Sequence, residues 1–275
     1  KNYAEELLHE ELSAAQKQIV KARSRIEWNN RIIEWFSLPA ITGTPMIRPD
    51  SRGSSTSSSK PRPSEDEIVE QRKIEHFGQV LPIEDVEEVI DMVESITRLP
   101  CGCRFISIGK ADKRYCFGFG IDTQGILGRY PDASLSLEVL GKEEAKKIFR
   151  EYDAEGLVHS IWTGVTPYVI GMCNCDRDCM AYRGYIEEGG APSFFRAEYV
   201  CQVDWEFCTG CKSCMSQCQF GAQFYSSTLG KVYIDAKRCF GCGVCRATCP
   251  KDAISLLPRQ EHPEAANVWL KSMPR

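Results

Sequence analysis

The sequence predicts an α+β protein in several parts, and three observations carry that prediction. Residues 3–36 hold a helical apolar seam with no strand pattern. The middle of the chain mixes amphipathic helical stretches with short β-rich runs. Residues 203–257 repeat one cysteine pattern with a period of 31 residues. The expected organisation is a helical arm over 1–50, a Ser/Pro-rich linker over 51–80, and a cysteine-containing α+β domain over 81–200. A cysteine-repeat domain over 201–258 and a tail over 259–275 complete it.

The arm comes first. Leu8, Leu12, Ala15, Ile19, Ala22, Ile26, Asn29, Ile33 and Phe36 recur at alternating spacings of four and three, a heptad seam. Its Ala and Asn positions leave it weak as a self-sufficient coiled coil, so it packs either on its own protein or on another subunit. Residues 51–64 are rich in Ser, Pro and Arg, the composition of a linker. "LPIEDVEEVIDMVESITRL" then predicts a helix with Pro82 in its first turn. Its buried face is Val86, Val89, Ile90, Val93 and Ile96, and Leu99-Pro100 ends it. "FISI" after the "CGCR" of 101–104 predicts a strand, and "YCFGFGI" a second strand or a Gly-loosened loop. Residues 141–160 predict another helix, with Gly156 as its stop signal. "YVIGMCNCDRDCMAYR" runs from a strand into a cysteine cluster. Two helices followed by short strands resemble a winged-helix-like α+β unit.

Composition excludes several classes. A net charge of −4 points neither to nucleic acid nor to an anionic membrane. No apolar run reaches the roughly 18–20 residues that would span a bilayer. The opening "KNYAEELLHEEL" does not read as an export signal. The 15 cysteines are an odd number in a chain too long to need disulfide staples. Their tight spacing favours metal ligation in a reducing, anaerobic cytoplasm.

The repeat is specific. Each half reads C-x2-C-x2-C-x3-C, Cys208 matches Cys239, and Ala222 matches Ala253. This resembles the bacterial-type two-cluster ferredoxin over residues 203–257, with two 4Fe–4S clusters as cofactors. The resemblance implies that Cys208, Cys211, Cys214 and Cys249 hold one cluster, and Cys239, Cys242, Cys245 and Cys218 the other. Gly210, Gly241 and Gly243 let the loops wind tightly. The sequence departs from the pattern once: Pro250 follows Cys249, but Gln219 follows Cys218. That substitution leaves an extra N–H and a polar side chain near the second cluster. Four acidic and six basic residues give this stretch a net charge of +2, which suits a fixed wire in a complex, or a dock for an acidic carrier.

Seven cysteines lie outside the repeat. "CGCR", "CFGFG", "EGLVH" and "MCNCDRDC" together resemble a family of iron–sulfur proteins from anaerobes, over roughly residues 80–257. The resemblance makes Cys101, Cys103, Cys116, Cys173, Cys175 and Cys179 candidate ligands of a third centre, a 4Fe–4S cluster or a zinc ion. Cys101, Cys103, Cys175 and Cys179 form the preferred quartet, with Cys173 and Cys116 as substitutes. Cys201 reads as a core residue. His9, His76, His159 and His262 are not spaced as ligand pairs and read as surface or satisfied core residues. "GFGIDTQG" lacks the dinucleotide-binding pattern and reads as a bend.

The function expected from these pieces is single-electron transfer within a cytoplasmic oxidoreductase complex of several different subunits. The protein would join a partner's redox cofactor to a carrier or second subunit, without catalysing a reaction itself. Two alternatives stand beside it. One is a reductase that binds substrate at the third centre. The other is a redox-sensing regulator with a basic recognition helix over 142–155, where Lys142, Lys146, Lys147 and Arg150 are offset by Glu143, Glu144, Glu151 and Asp153.

Overall fold

The computed structural model describes residues 64, 67, 78–101, 103–104, 108, 113–120, 137–163, 169–179, 182 and 195–266. The arm, nearly all of the linker, residues 121–125 of the Gly-rich stretch and the end of the tail lie outside the described residues.

The middle domain is built on β1 (Gly78–Leu81), α1 (Ile83–Met92), β2 (Ile96–Leu99), β3 (Cys116–Phe119), β4 (Glu138–Leu140), α2 (Lys142–Glu155), β5 (Val158–Thr163) and β6 (Val169–Cys175). Its strands form one six-stranded sheet in the order β1-β5-β6-β3-β2-β4. Every neighbouring pair is antiparallel.

This sheet replaces the winged-helix-like unit expected from the sequence. Two boundaries explain the difference. The first predicted helix stops at Met92, Val93 turns extended, and Ile96–Leu99 leaves to pair with both β3 and β4. Ile96 is buried, but as a strand residue. The second helix stops at Glu155, and Gly156 closes it in the left-handed region at φ 87°. Val158–Ser160, expected as helix, begins β5 instead. Apolar β-branched runs this short satisfy either period, and a distant ladder partner decides between them. Of "FISI" only Ile108 is described, and it is helical, as are Cys103 and Arg104.

The sheet has two differently used faces. Val86, Val89 and Ile90 of α1 and Ala145, Phe149 and Tyr152 of α2 pack on one face, against Leu81, Ile96, Phe117, Ile161 and Met172. Lys146 pairs with Asp91 at 2.7 Å and Arg150 with Glu87 at 2.5 Å, so these cations of α2 are engaged by α1. Val80, Val158 and Trp162 face the other way. Strand alternation sends Cys173 and Cys175 to that second face as well.

A second unit covers it. β7 (Tyr199–Val203) pairs antiparallel with β10 (Ile254–Pro258), and β8 (Gln223–Ser226) with β9 (Lys231–Ile234). Two short helices, α3 (Ser213–Gln217) and α4 (Val244–Ala247), follow the two cysteine loops. Val80, Val158 and Trp162 share one packed core with Phe220, Phe240 and Val244 of this unit. Polar contacts seal the same boundary. Arg246 forms a two-bonded pair with Glu84, both at 2.7 Å, and Gln79 Nε2 donates to the carbonyl of Arg196 at 2.9 Å.

Candidate iron–sulfur sites

The two loops of the C-terminal unit wind alike. Gly241 sits at φ 73°, and a Cβ there would lie 2.0 Å from the Tyr199 carbonyl oxygen. That backbone approach admits only glycine. One position of the repeat is less regular: Lys212 takes the place of Gly243 and still adopts φ 67°. Its ammonium lies 3.9 Å from the centre of the Tyr225 ring, a cation–π contact that accompanies the strained backbone.

Two thiol-lined cavities result. Cys208, Cys211, Cys214 and Cys249 line one, with Pro250 and Lys251 at its edge. Cys239, Cys242, Cys245 and Cys218 line the other, together with Phe220, Phe240 and Cys201. Each cavity therefore takes three thiols from its own loop and the fourth from the other repeat. Backbone amides aim at the sulfurs with the same symmetry: Ala222 N–H donates to Cys218 Sγ and Ala253 N–H to Cys249 Sγ, both at 3.3 Å. Cys239 Sγ accepts from the amides of Cys201 and Gly241. Such bonds favour a sulfur that carries negative charge.

The donor set fits iron–sulfur chemistry, and buried cations strengthen the fit. Arg259 and Arg196 are fully buried. Arg259 donates to the carbonyls of Ala197, Tyr199 and Cys239 at 2.7–2.9 Å. Arg196 lies 4.0 Å over the Phe240 ring. A buried cation is costly unless anions compensate it, and around Arg259 the Cys239 and Cys201 sulfurs and Glu198 act in that sense. Burial lowers the Arg259 pKa to about 10, so the guanidinium stays charged at neutral pH. The sequence places Arg259 in a tail; it is instead buried, and bonds the backbone of Cys239, which lines the second cavity.

Cys201 is buried, and its thiol touches both Cys239 and Cys245. Burial raises the Cys242 thiol well above its ordinary range and pushes Cys214 up to about 11. Metal binding must displace those protons.

The middle-domain motifs also converge. β3 and β6 place Cys116 opposite Cys173, and β5 places Val158 and His159 opposite Cys175 and Asn174. The Cys101 amide donates to the Lys113 carbonyl at 2.7 Å, which brings Cys101 alongside the segment that leads into β3. All six candidate thiols thus stand in one constellation. Cys175 donates to Cys179 with the sulfurs 3.3 Å apart, and Cys103 is also bonded to Cys179. Cys116 is bonded to both Cys101 and Cys173. The bond from Cys116, with Arg104 beside it, brings the Cys101 thiol down to about 6.

Arg104, the last residue of "CGCR", has no role that its motif alone suggests. It is 1% exposed. Its guanidinium donates to Cys101 Sγ at 3.3 Å and to the Asn174 carbonyl at 3.1 Å, and pairs with Asp176 at 2.7 Å. His159 is buried, with Nδ1 2.6 Å from Asn174 Oδ1 and Nε2 3.6 Å from Asp153. The Asn174 contact adds a side-chain link between β5 and the strand that carries Cys173 and Cys175.

Among the described residues, no three His, Cys, Asp or Glu side chains converge as a single ion would need. A cubane places each thiolate on a separate iron, so its ligands need no such common point.

Comparison with known proteins agrees with the C-terminal geometry. The model of the 4Fe-4S dicluster domain matches residues 207–254. An archaeal-type glutamate synthase (NADPH) of Thermotoga maritima is 37% identical over 59 residues, 22% of this chain and 12% of its own. One component of an ion-translocating oxidoreductase complex from Methanosarcina acetivorans is 42% identical over 57 residues, 21% of this chain and 20% of its own. Indolepyruvate oxidoreductase subunit IorA of Pyrococcus abyssi is 33% identical over 78 residues, 28% of this chain and 11% of its own. The chain thus covers a fifth or less of each relative's length. The C-terminal unit is a ferredoxin-type iron–sulfur domain within a mixed α/β protein. Among the described residues, no helix is long and apolar enough to cross a membrane.

Proposed function

We propose that the protein is an electron-transfer subunit of an oxidoreductase complex, carrying two 4Fe–4S clusters in its C-terminal domain and a third redox centre among the middle-domain thiols. Cys208, Cys211, Cys214 and Cys249 hold the first cluster, and Cys239, Cys242, Cys245 and Cys218 the second. A 4Fe–4S cluster supplies a reversible one-electron change when bound. The chain's own residues do the rest: amide N–H groups and Arg259 offset the sulfur charge, and Phe220 and Phe240 keep water from the second cavity.

One observation carries this reading. One wall of the second thiol cavity, Cys242, Phe220, Phe240 and Val244 with Cys218 against them, shares a packed core with the middle-domain thiols Cys175 and Cys179. A freely diffusing ferredoxin has no need of a second domain sealed onto one of its clusters. Support also comes from the relatives, two of which are named as oxidoreductase subunits. The regulator reading loses ground, because Lys146 and Arg150 of the supposed recognition helix are paired with α1.

The full chain, purified anaerobically and reconstituted with iron and sulfide, is expected to bind at least about eight irons. Dithionite should reduce it by at least about two electrons per chain. Fewer irons, with Cys218 and Cys249 intact, would reject the proposal. Deleting residues 1–50 should leave the irons in place and abolish co-purification with the redox partner, which tests the arm as the docking element.

A further inference from the structure

We propose that Cys103, Cys173, Cys175 and Cys179 are the four ligands of a third 4Fe–4S cluster, and that Cys101 and Cys116 stand beside it as non-ligand thiols. This deepens the reading above and rests on it.

The contacts divide the six thiols. Cys103 and Cys175 both bond to Cys179. Cys173 lies close enough to interact electrostatically with Cys103 and with Cys175. These four lie together in one packed cluster that includes neither Cys101 nor Cys116. Cys101 is hydrogen-bonded to Cys116 and to the Arg104 guanidinium and meets the group only electrostatically, through Cys103. Cys116 is hydrogen-bonded to Cys101 and touches the group at Cys173.

Local geometry repeats the plan of the ferredoxin loops. Cys173 and Cys175 lie two apart on β6 and so point to one side. The chain then turns, with the Cys179 amide bonded to the Asp176 carbonyl at 3.0 Å, and delivers Cys179. Three thiols therefore come from one short strand-and-turn segment, and the fourth, Cys103, from a distant one. The same division of three and one builds both C-terminal cavities.

Packing makes the partition functional. Cys175, Cys179, Cys103 and Cys173 share a core with Cys242 and Cys218 of the second cavity; Cys101 and Cys116 do not. Tyr182, Phe220 and Phe240 belong to that same core. The last two rings stack at 3.9 Å, 7° from parallel. The second cluster is thus the middle station, and the third centre reaches the first through it. Arg104 is buried on the Cys101 side of the four-thiol group, where Asp176 compensates its charge and it bonds Cys101 and the Asn174 carbonyl.

The experiment counts irons and labile sulfide in the full chain and records EPR spectra after dithionite reduction. The unsubstituted chain is expected to hold about twelve irons, four per cluster. Cys103→Ser, Cys173→Ser, Cys175→Ser and Cys179→Ser should each fall to about eight, with the two-cluster spectrum of the ferredoxin domain retained. Cys101→Ser and Cys116→Ser should stay at about twelve. The retained eight irons are the folding control; if a serine variant loses them, the alanine variant at the same position is counted instead.

Loss of four irons in Cys101→Ser or Cys116→Ser would overturn the partition. So would about eight irons in the unsubstituted chain, with or without zinc, although that result leaves the electron-transfer reading intact. Fewer than eight in the unsubstituted chain would remove both.

Discussion

Arg259 joins three backbone segments, one of them at Cys239 of the second thiol cavity. Its guanidinium bonds the carbonyls of Ala197, Tyr199 and Cys239 and carries its charge into a buried site. Replacement by Gln leaves carbonyls unpaired and should cost about 2–4 kcal/mol. It also removes a cation that interacts with Cys239 of the proposed second cluster, which disfavours the added electron. Arg259→Gln is therefore expected to lower the midpoint potential of that cluster and leave the first unchanged, as read by EPR-monitored titration. An unaltered potential would assign Arg259 a purely structural role. Arginine is ordinarily a surface residue, so neither "FFRAEY" nor "LLPRQ" signals burial in the sequence. Arg104 is visible as part of a motif, but its partners at Asn174 and Asp176 lie 70 or more residues away.

Elements meet where the ferredoxin pattern is broken. Gln219, in place of the expected proline, donates through Nε2 to the Gly156 carbonyl at 3.1 Å, at the end of α2. The departure that the sequence presents as an effect on the cluster is also a docking contact. Gln219→Pro should loosen the two domains by about 1 kcal/mol, seen as faster amide exchange near Gly156 with the iron content unchanged. Gly156 itself is more demanding. A Cβ there would strike the Gln217 side chain, and the left-handed φ adds backbone strain. Gly156→Ala should therefore cost at least about 1 kcal/mol in thermal stability.

The Glu84–Arg246 pair closes the same boundary from α1. Arg246 holds the Glu84 pKa below its ordinary value. Its contribution is therefore present above the unfolded carboxyl pKa, about 4.3, and is lost as pH falls through the lower folded value. Glu84 is 56% exposed, so solvent screening limits the effect to roughly 0.5 kcal/mol. Glu84→Gln should reduce stability by that amount at pH 7 and make no difference under strongly acid conditions.

At the scale of the whole molecule, the two C-terminal cavities have different outlooks. The second is sealed by the middle domain, whereas Cys211 of the first is exposed. Trp205, Phe207, Tyr225, Leu229 and Tyr233 are exposed large apolar side chains on the same unit. Lys212 and Lys251 line the first cavity. Exchange with a small acidic carrier protein is expected on this side. Lys212→Glu should slow reduction by such a carrier several-fold at low salt, and the difference should shrink as ionic strength rises. Equal rates at all salt concentrations would place the exchange surface elsewhere.

The sequence by itself determined the ferredoxin domain, its repeat, and the assignment of four cysteines to each cavity through a family resemblance. Three thiols of each loop were legible because they lie three residues apart, and covalent spacing alone brings them together; the crossed fourth came only from the resemblance. It also determined most of the buried face of α1, Val86, Val89 and Ile90, since a helical period is local. Tertiary structure decided what lies between distant segments: the six-stranded sheet in place of a winged-helix-like unit, the grouping of Cys103 with Cys173, Cys175 and Cys179, the buried arginines, and the seal over the second cavity. Those features depend on strand register and on contacts between segments tens of residues apart. No local period encodes such contacts. They follow from the free energy of burying both faces of one sheet.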